Sequence, residues 1–316
     1  MINKSEAAPR TPIAILGSGS IAQKAYFPLL TAWEGIEIAA IYSRNAQHAM
    51  NACARWNLPY WSTSIDDLFK LNIKAAFVLT SKESHYSLIQ TLLEDGVDVF
   101  VEKPLTTTSQ QALELAELAQ KKKRILMVGF NRRYALLYRQ AKQKLDGKEI
   151  QLIVIQKHRT TPHYPNLTEF YLEDYIHQID LLRYFCGEVE PLQTSFQMRD
   201  QTLHSCISTV LLPNGGLGTL LSAHTAGIWQ ESVSIHADNL SIHVDAFRNL
   251  WVRYAEHEEL FGSDRAGNWT PDLRERGFIP EIEHFFHCIE TRAEPESNGL
   301  EAAKTQQLLE KLLPGS

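Results

Sequence analysis

The sequence predicts a two-part α/β chain, in which a parallel sheet with helices on both faces is followed by a helix and a set of antiparallel strands. Three observations carry this reading. Up to residue 130, near-continuous apolar runs alternate with helical stretches, the pattern of strands buried on both faces. A glycine turn, Gly17-x-Gly19-x-x-Ala22, stands between the first strand and the first helix. Beyond Gly187 the rhythm changes to strand-like runs separated by turn residues such as Pro213-Asn214-Gly215-Gly216 and Asp238-Asn239.

Taken in order, "PIAILG" is the first strand and helical spacing runs from Ile21 to about Trp33. "IEIAAIYS" and "NAQHAMNACARW" form the next strand and helix. Ser64 and Asp67 suggest a capping box before "IDDLFKL". "AAFVLT" is the third apolar run, and "HYSLIQTLLEDG" a helix stopped by Gly96. "VDVFVEKP" comes next, then a helix capped by Thr108 and Gln111, and "ILMVGF" closes the series. These elements define a first domain at 10–130. A helix from Arg133 to Leu145 leads into the second domain, 131–316, whose C-terminal helices have the option of packing back on the first. There "IQLIVIQKHR" is a strand and "YLEDYIHQIDLLRYFCG" a helix. Six strands come after it, from "LQTSFQMR" to "LWVRYA", and two helices lie near 280–292 and 299–313. The stretch 257–279 reads as a long irregular loop with a functional part.

Composition narrows the function. The chain has 316 residues, with 31 basic and 37 acidic side chains and a net charge of −6. Nucleic-acid binding asks for a basic excess, so no nucleic-acid partner is expected. The amino terminus lacks the apolar core of a signal peptide, and no apolar run is long enough to span a membrane. Four cysteines without a CxxC suit a soluble protein of a reducing compartment, the cytoplasm. The strand histidines lack ligand spacing, and no metal is expected.

The glycine turn has the context of a dinucleotide fingerprint. Gly17 permits the tight turn, Gly19 admits a pyrophosphate, and Ala22 keeps helix and strand close. Ser20 and Ile21 open the helix whose N-terminus faces the phosphate charge. The second strand ends in Tyr42-Ser43-Arg44-Asn45, without the acid that NAD-specific sites usually offer to the ribose. Ser43 as donor and Arg44 as partner of a 2′-phosphate favour NADP(H) over NAD. Glu102-Lys103-Pro104 ends another strand on the ligand side of the sheet. Pro104 biases Lys103 toward an extended backbone at the rim, where its ammonium can polarise or protonate a substrate oxygen. Glu102 is then placed to contact the nicotinamide or steady the lysine.

In this setting the sequence resembles the Gfo/Idh/MocA family of NAD(P)-dependent oxidoreductases, over nearly the whole chain. "GSGSIAQKAYFPLL", "SHYSLIQTLLEDGVDVFVEKPL", "LMVGFNRRY" and "EDYIHQID" carry the likeness, and a late "ERGF....EHFFHCIE" points to the MviM group. The resemblance implies a Rossmann domain, then an α/β domain with a large, mostly antiparallel sheet whose open face mediates homo-oligomers. It implies a catalytic role for Lys103, places Ser81 and His85 along the cofactor, and sets Asn131 and Arg132 near nicotinamide and substrate.

On the second-domain helix, Glu173, His177 and Asp180 share one face at i, i+4 and i+7. A carboxylate one turn away orients the ring, and His177 takes the proton of a hydroxyl as hydride leaves. Family members often carry Asp-x-Gly-x-His here, whereas this chain has Glu173 and Tyr175, so Tyr175 is expected to narrow the pocket or supply a phenol. Asp180 is also open to a packing role. After the preceding strand, Lys157, His158, Arg159 and His163 suit an anionic or polyhydroxyl substrate. The leading expectation is hydride transfer between a nicotinamide and a carbinol or carbonyl carbon of a sugar, cyclitol or related polyhydroxyl compound. Lys103 and His177 would meet at the reacting oxygen. The alternatives are elimination or glycoside cleavage on a tightly held NAD, and a non-catalytic NAD(P)-binding regulator.

Overall fold

The computed structural model describes residues 10–161, 163–262 and 272–314. Two compact units emerge, one of residues up to 129 together with 282–301, the other of 130–281 together with 302 onward.

In the first unit, β1 (Thr11–Leu16), β2 (Ile36–Tyr42), β3 (Trp61–Ser62), β4 (Ala75–Val78), β5 (Asp98–Glu102) and β6 (Leu126–Gly129) form one sheet in the order β3-β2-β1-β4-β5-β6. Every pairing is parallel. β4 and β5 are buried at every position, which is why β4 and the middle of β5, Val99-Phe100-Val101, read as apolar runs. The chain leaves β1 for β2 on one side and returns to β4 on the other. Between β1 and β4 the sheet therefore has the switch point beside which open α/β sheets bind ligands.

Helix starts obey local chemistry. Asn45 caps α2 (Ala46–Trp56) by accepting from the His48 amide, and Thr108 caps α5 (Ser109–Lys122) by accepting from that of Gln111. The expected Ser64–Asp67 box is not formed. Instead Ser62 donates to Asp67 at 2.6 Å and accepts from the Ser64 amide, two residues earlier than the capping pattern implied. The aromatic core joins Tyr26, Phe77 and Phe100 to Phe285. Ser297 continues the sheet edge, its carbonyl accepting from the Val128 amide and its hydroxyl donating to the Val128 carbonyl. Arg292 pairs with the buried Asp98 at 2.7 Å.

The second unit is built on an eight-stranded sheet of β7 (Ile150–His158), β8 (Glu190–Arg199), β9 (Thr202–Leu211), β10 (Leu217–Ala223), β11 (Gln230–Ala237), β12 (Leu240–Asp245), β13 (Asn249–Arg253) and β14 (Glu258–Phe261), in the order β14-β13-β12-β11-β7-β10-β9-β8. Only β7 and β10 (Leu217–Ala223) pair in parallel. Burial alternates along β9 (Thr202–Leu211), β10, β12 (Leu240–Asp245) and β13 (Asn249–Arg253), the pattern of a sheet with one covered and one open face. A helical stretch over 167–186 is buried along most of its length. It comprises α7 (Leu167–Phe170), a π-turn at Tyr171–Tyr175 and α8 (Ile176–Cys186). The helix expected from Arg133 instead begins at Leu136, after a tight turn over Asn131–Tyr134.

The expected irregular loop at 257–279 holds a strand at Glu258–Phe261 and a short helix at Asp272–Glu275; residues 263–271 of it lie outside the described residues. Gly277 comes just after that helix at φ +88°, where a Cβ would stand 2.0 Å from the Asn131 carbonyl oxygen. Only glycine lets the 274–278 turn lie this close to the Asn131 turn.

Candidate functional site

A cleft of about 1220 Å³ opens at the switch point of the first sheet. Gly17, Ser18, Gly19, Ser20 and Ile21 line one side, Tyr42 to Asn45 the second, and Leu79 to Ser81 the third. Gly17 sits at φ +102° and donates to the Tyr42 carbonyl; a Cβ there would stand 2.6 Å from the Leu79 carbonyl oxygen. The β1 turn is thus wedged between the ends of β2 and β4. At Gly19, by contrast, nothing lies within 4 Å of where a Cβ would stand. That open space lets an anionic ligand approach the backbone. The Gln23 amide donates to Gly19, so the N–H groups just before it lie in the first turn, without intrahelical acceptors. Ala22 is fully buried, as the close packing of this helix requires. These residues fit a dinucleotide pyrophosphate.

The end of β2 carries the charge. Arg44 is exposed on the cleft wall, and Ser43 accepts from the Asn45 amide while its own O–H remains a donor. His48, Asn51 and Arg55 of α2 line the same region. Sequence reading passed over these three, although their i, i+3, i+7 spacing beyond Arg44 was a visible signal. Among the described lining residues the single carboxylate is Glu83, which comes from the turn after β4 rather than from β2.

Ser81 is exposed and lines the cleft. His85 is not in its lining: it is 1% exposed, with Nδ1 2.8 Å from the Pro104 carbonyl oxygen and Nε2 3.1 Å from that of Thr80. Burial pushes its pKa down, against the pull of both carbonyls. A neutral ring donates to only one of them, and His85 is a buried packing residue between the Glu-Lys-Pro turn and the end of β4. Glu102 is likewise committed. It accepts from the Tyr26 hydroxyl at 2.6 Å and from the Lys103 amide at 3.0 Å, which fixes the backbone from which the half-buried Lys103 side chain departs.

In the second unit, Glu173 and His177 are the half-buried positions between Phe170 and Arg183, where every other residue of the helical stretch is buried. Tyr175 departs from expectation: it is fully buried and its hydroxyl donates to the Leu220 carbonyl at 3.2 Å, so it packs the helix on the sheet rather than presenting a phenol. Asp180 also turns inward, accepting from Arg133 at 2.7 and 2.9 Å and from Thr305 at 3.2 Å. Its place is the packing role. Asn131 donates to the Arg276 carbonyl at 2.8 Å, and Arg132 forms a fork with Glu231 at 2.6 and 2.7 Å. Both side chains hold together the interior of their own unit, rather than standing free for a ligand.

Near them lies a buried ionic cluster that no sequence motif announces. Lys157 pairs with Asp174 and lies 3.9 Å from Glu231; Arg159 forks onto Asp174 at 2.6 and 2.8 Å. Burial works to raise the Asp174 carboxyl, but Lys157 and Arg159 outweigh it and hold the group well below the usual carboxylate range. The charges expected to face substrate from "KHRTTPHY" are thus largely spent inward. His158 belongs to the same pattern, its Nδ1 accepting from the Ala223 amide.

Residues 11–130 match the model of the oxidoreductase family with an NAD-binding Rossmann fold, GFO_IDH_MocA. Over 304 residues, 95% of this chain and 96% of the relative, the sequence is 34% identical to a Salmonella typhimurium protein named as an oxidoreductase, YceM. It is 22% identical over 308 residues to the scyllo-inositol 2-dehydrogenase (NAD(+)) of Bacillus subtilis, covering 92% of this chain and 89% of that one. A solved Clostridium difficile structure, described as a dehydrogenase (MviM), aligns with a TM-score of 0.86 at 32% identity and covers 95% of this chain and 98% of that chain.

Proposed function

Because the chain belongs to the Gfo/Idh/MocA family of oxidoreductases, with an NAD-binding Rossmann fold, we propose that it is an NADP(H)-preferring dehydrogenase or reductase of a sugar, cyclitol or related polyhydroxyl compound. The carrying observation is the cleft wall made by Arg44 just after β2 and by His48 and Arg55 of α2, to which β2 itself contributes no acid. A ribose 2′-phosphate placed there meets charge-assisted donors, whereas the free 2′-hydroxyl of NAD meets no carboxylate from that strand. The polyhydroxyl class is supported by the inositol dehydrogenase relative.

The nicotinamide supplies hydride exchange at its C4. In this reading Lys103 holds the reacting oxygen as a hydrogen-bond donor, and His177 takes or returns the hydroxyl proton with Glu173 orienting its ring. Ser81 lies along the cofactor. Absorbance of the reduced nicotinamide, measured over a panel of sugars and cyclitols with NADP and with NAD, tests the proposal. Turnover with NADP on at least one polyol is expected; a clear preference for NAD would overturn the cofactor assignment. Arg44→Ala should raise the KM for NADP by about tenfold or more, the worth of one charge-assisted bond, and leave that for NAD nearly unchanged.

The protein also acts, in this reading, as a homo-oligomer joined through the open sheet face. Leu152, Ile207 and Leu217 on β7, β9 and β10 are large apolar residues left exposed there, and such a patch marks an association surface. Leu217→Lys is expected to shift the mass measured by light scattering toward the monomer. An unchanged mass for both proteins at the monomer value would end this part of the proposal.

A further inference from the structure

The helical stretch 167–186 is fastened to its sheet by polar side chains as well as by apolar packing. Asp174, 1% exposed, lies between Lys157 and Arg159 of the β7 segment. Tyr175 donates to the Leu220 carbonyl of β10. Gln178 donates to the carbonyls of Ile155 on β7 and Leu221 on β10, and accepts from the Ser222 hydroxyl at 2.9 Å. All three anchors therefore grip the parallel pair at the middle of the sheet. Glu173 and His177 alternate with these anchors along the chain and are the residues left half-buried between Phe170 and Arg183.

The local backbone gives the anchors a task. The π-turn at Tyr171–Tyr175 adds a residue to one helical turn, which rotates the helix on its N-terminal side relative to the helix on its C-terminal side. Asp174 lies inside that turn, one residue after Glu173 and three before His177. Apolar side chains replacing the whole cluster would fill its site with at least comparable stability, since buried ion pairs seldom outperform well-packed hydrophobic groups, whereas removing one partner alone strands the others. What a carboxylate held by two cations provides instead is a fixed direction.

We propose that Asp174, clamped by Lys157 and Arg159, is a positioning residue that sets the rotation of this helix and thereby the aim of His177, and that the clamp depends on the charge of Lys157. The proposal rests on the reading of His177 as the proton-exchanging group.

Several charged and titratable groups surround Lys157. Asp174 faces it from the helix and Glu231 from β11 (Gln230–Ala237), with Arg132 and the Tyr138 hydroxyl on Glu231, and Arg159 on its own segment. Tyr164 and His224 lie near enough to Asp174 to feel its charge. Burial, with Arg132 adding to it, brings the Lys157 ammonium down to about 8, against the pull of Asp174 and Glu231. The clamp is therefore fully charged below that pH and loses one cation as pH rises through it.

Turnover at saturating substrate and dinucleotide should accordingly decline above about pH 8 in the parent protein. Lys157→Arg keeps its charge throughout this range, so its alkaline limb should move up by at least one pH unit, roughly the tenfold change in proton activity that the assay resolves. Asp174→Asn should lower kcat by roughly tenfold to 10²-fold, the scale of a small misplacement of a reacting group, with dinucleotide Kd unchanged. An alkaline limb that stays in place in Lys157→Arg, or a parent-like kcat in Asp174→Asn, would overturn the proposal. Unchanged dinucleotide binding marks a variant as folded in the first unit, and a parent-like melting curve does so for the second. If His177→Asn keeps its turnover, the underlying catalytic reading fails; if that variant is inactive while the limb ignores Lys157, only the positioning role falls.

Discussion

His177→Asn is expected to lower kcat by about 10²–10⁴-fold, the contribution of a positioned general acid–base group, and to leave dinucleotide affinity unchanged. Asparagine keeps a polar side chain at a half-buried site, so the loss will be of proton exchange more than of packing. Lys103→Met should produce a loss of similar order for a different reason. Methionine matches the length of the lysine but offers no donor to the reacting oxygen. The backbone around it keeps its own ties, because Glu102 still accepts from the Tyr26 hydroxyl and the Lys103 amide. Fluorescence titration with the reduced dinucleotide and single-turnover kinetics separate binding from chemistry in both variants. Persistence of turnover in either variant removes that residue from the mechanism. Activity lost together with dinucleotide binding would instead assign it to the cofactor site.

The second large effect is on stability. Asp180→Ala leaves Arg133 buried without its counter-charge, beside Thr305 and the likewise buried Arg183. Breaking one side of such a pair costs about 3–5 kcal/mol, and thermal midpoints should fall by about 6–20 °C for a unit of this size. The double change Arg133→Met with Asp180→Leu removes both charges and should recover much of the loss. Whatever Asp180→Ala still folds at low temperature should keep the parental pH dependence of kcat. A changed pH profile with an unchanged melting curve would return Asp180 to the catalytic group.

Much of the fold was legible because its signals are local. Gly17, Gly19 and Ala22 announce a turn between strand and helix, and fully buried β4 and the middle of β5 leave apolar runs in the sequence. The second unit's alternating strands are visible for the same reason. Side-chain direction was harder to read. One extra residue in the turn at Tyr171–Tyr175 changes which residues face the sheet, and no propensity marks it. Tyr175 thus read as a pocket residue and proved to be an anchor. His85 and Asn131 belong to conspicuous motifs, yet their partners are backbone carbonyls brought near by tertiary folding. Asp174 and Glu231 are separated in sequence by 57 positions and meet around Lys157 only once the sheet is assembled.

The return of residues 282–301 to the first unit bears on how the protein is made. On a ribosome, a nascent chain that has emerged as far as residue 130 contains every strand of the dinucleotide sheet. It still lacks Phe285 against Phe77 and Phe100, Ser297 on the Val128 edge and Arg292 for the buried Asp98. Completion of this sheet's core therefore waits until residues 285–297 have emerged, and a fragment cut at the border of the sequence family would expose an aromatic surface and leave Asp98 without Arg292. Such intermediates are the ones chaperones hold.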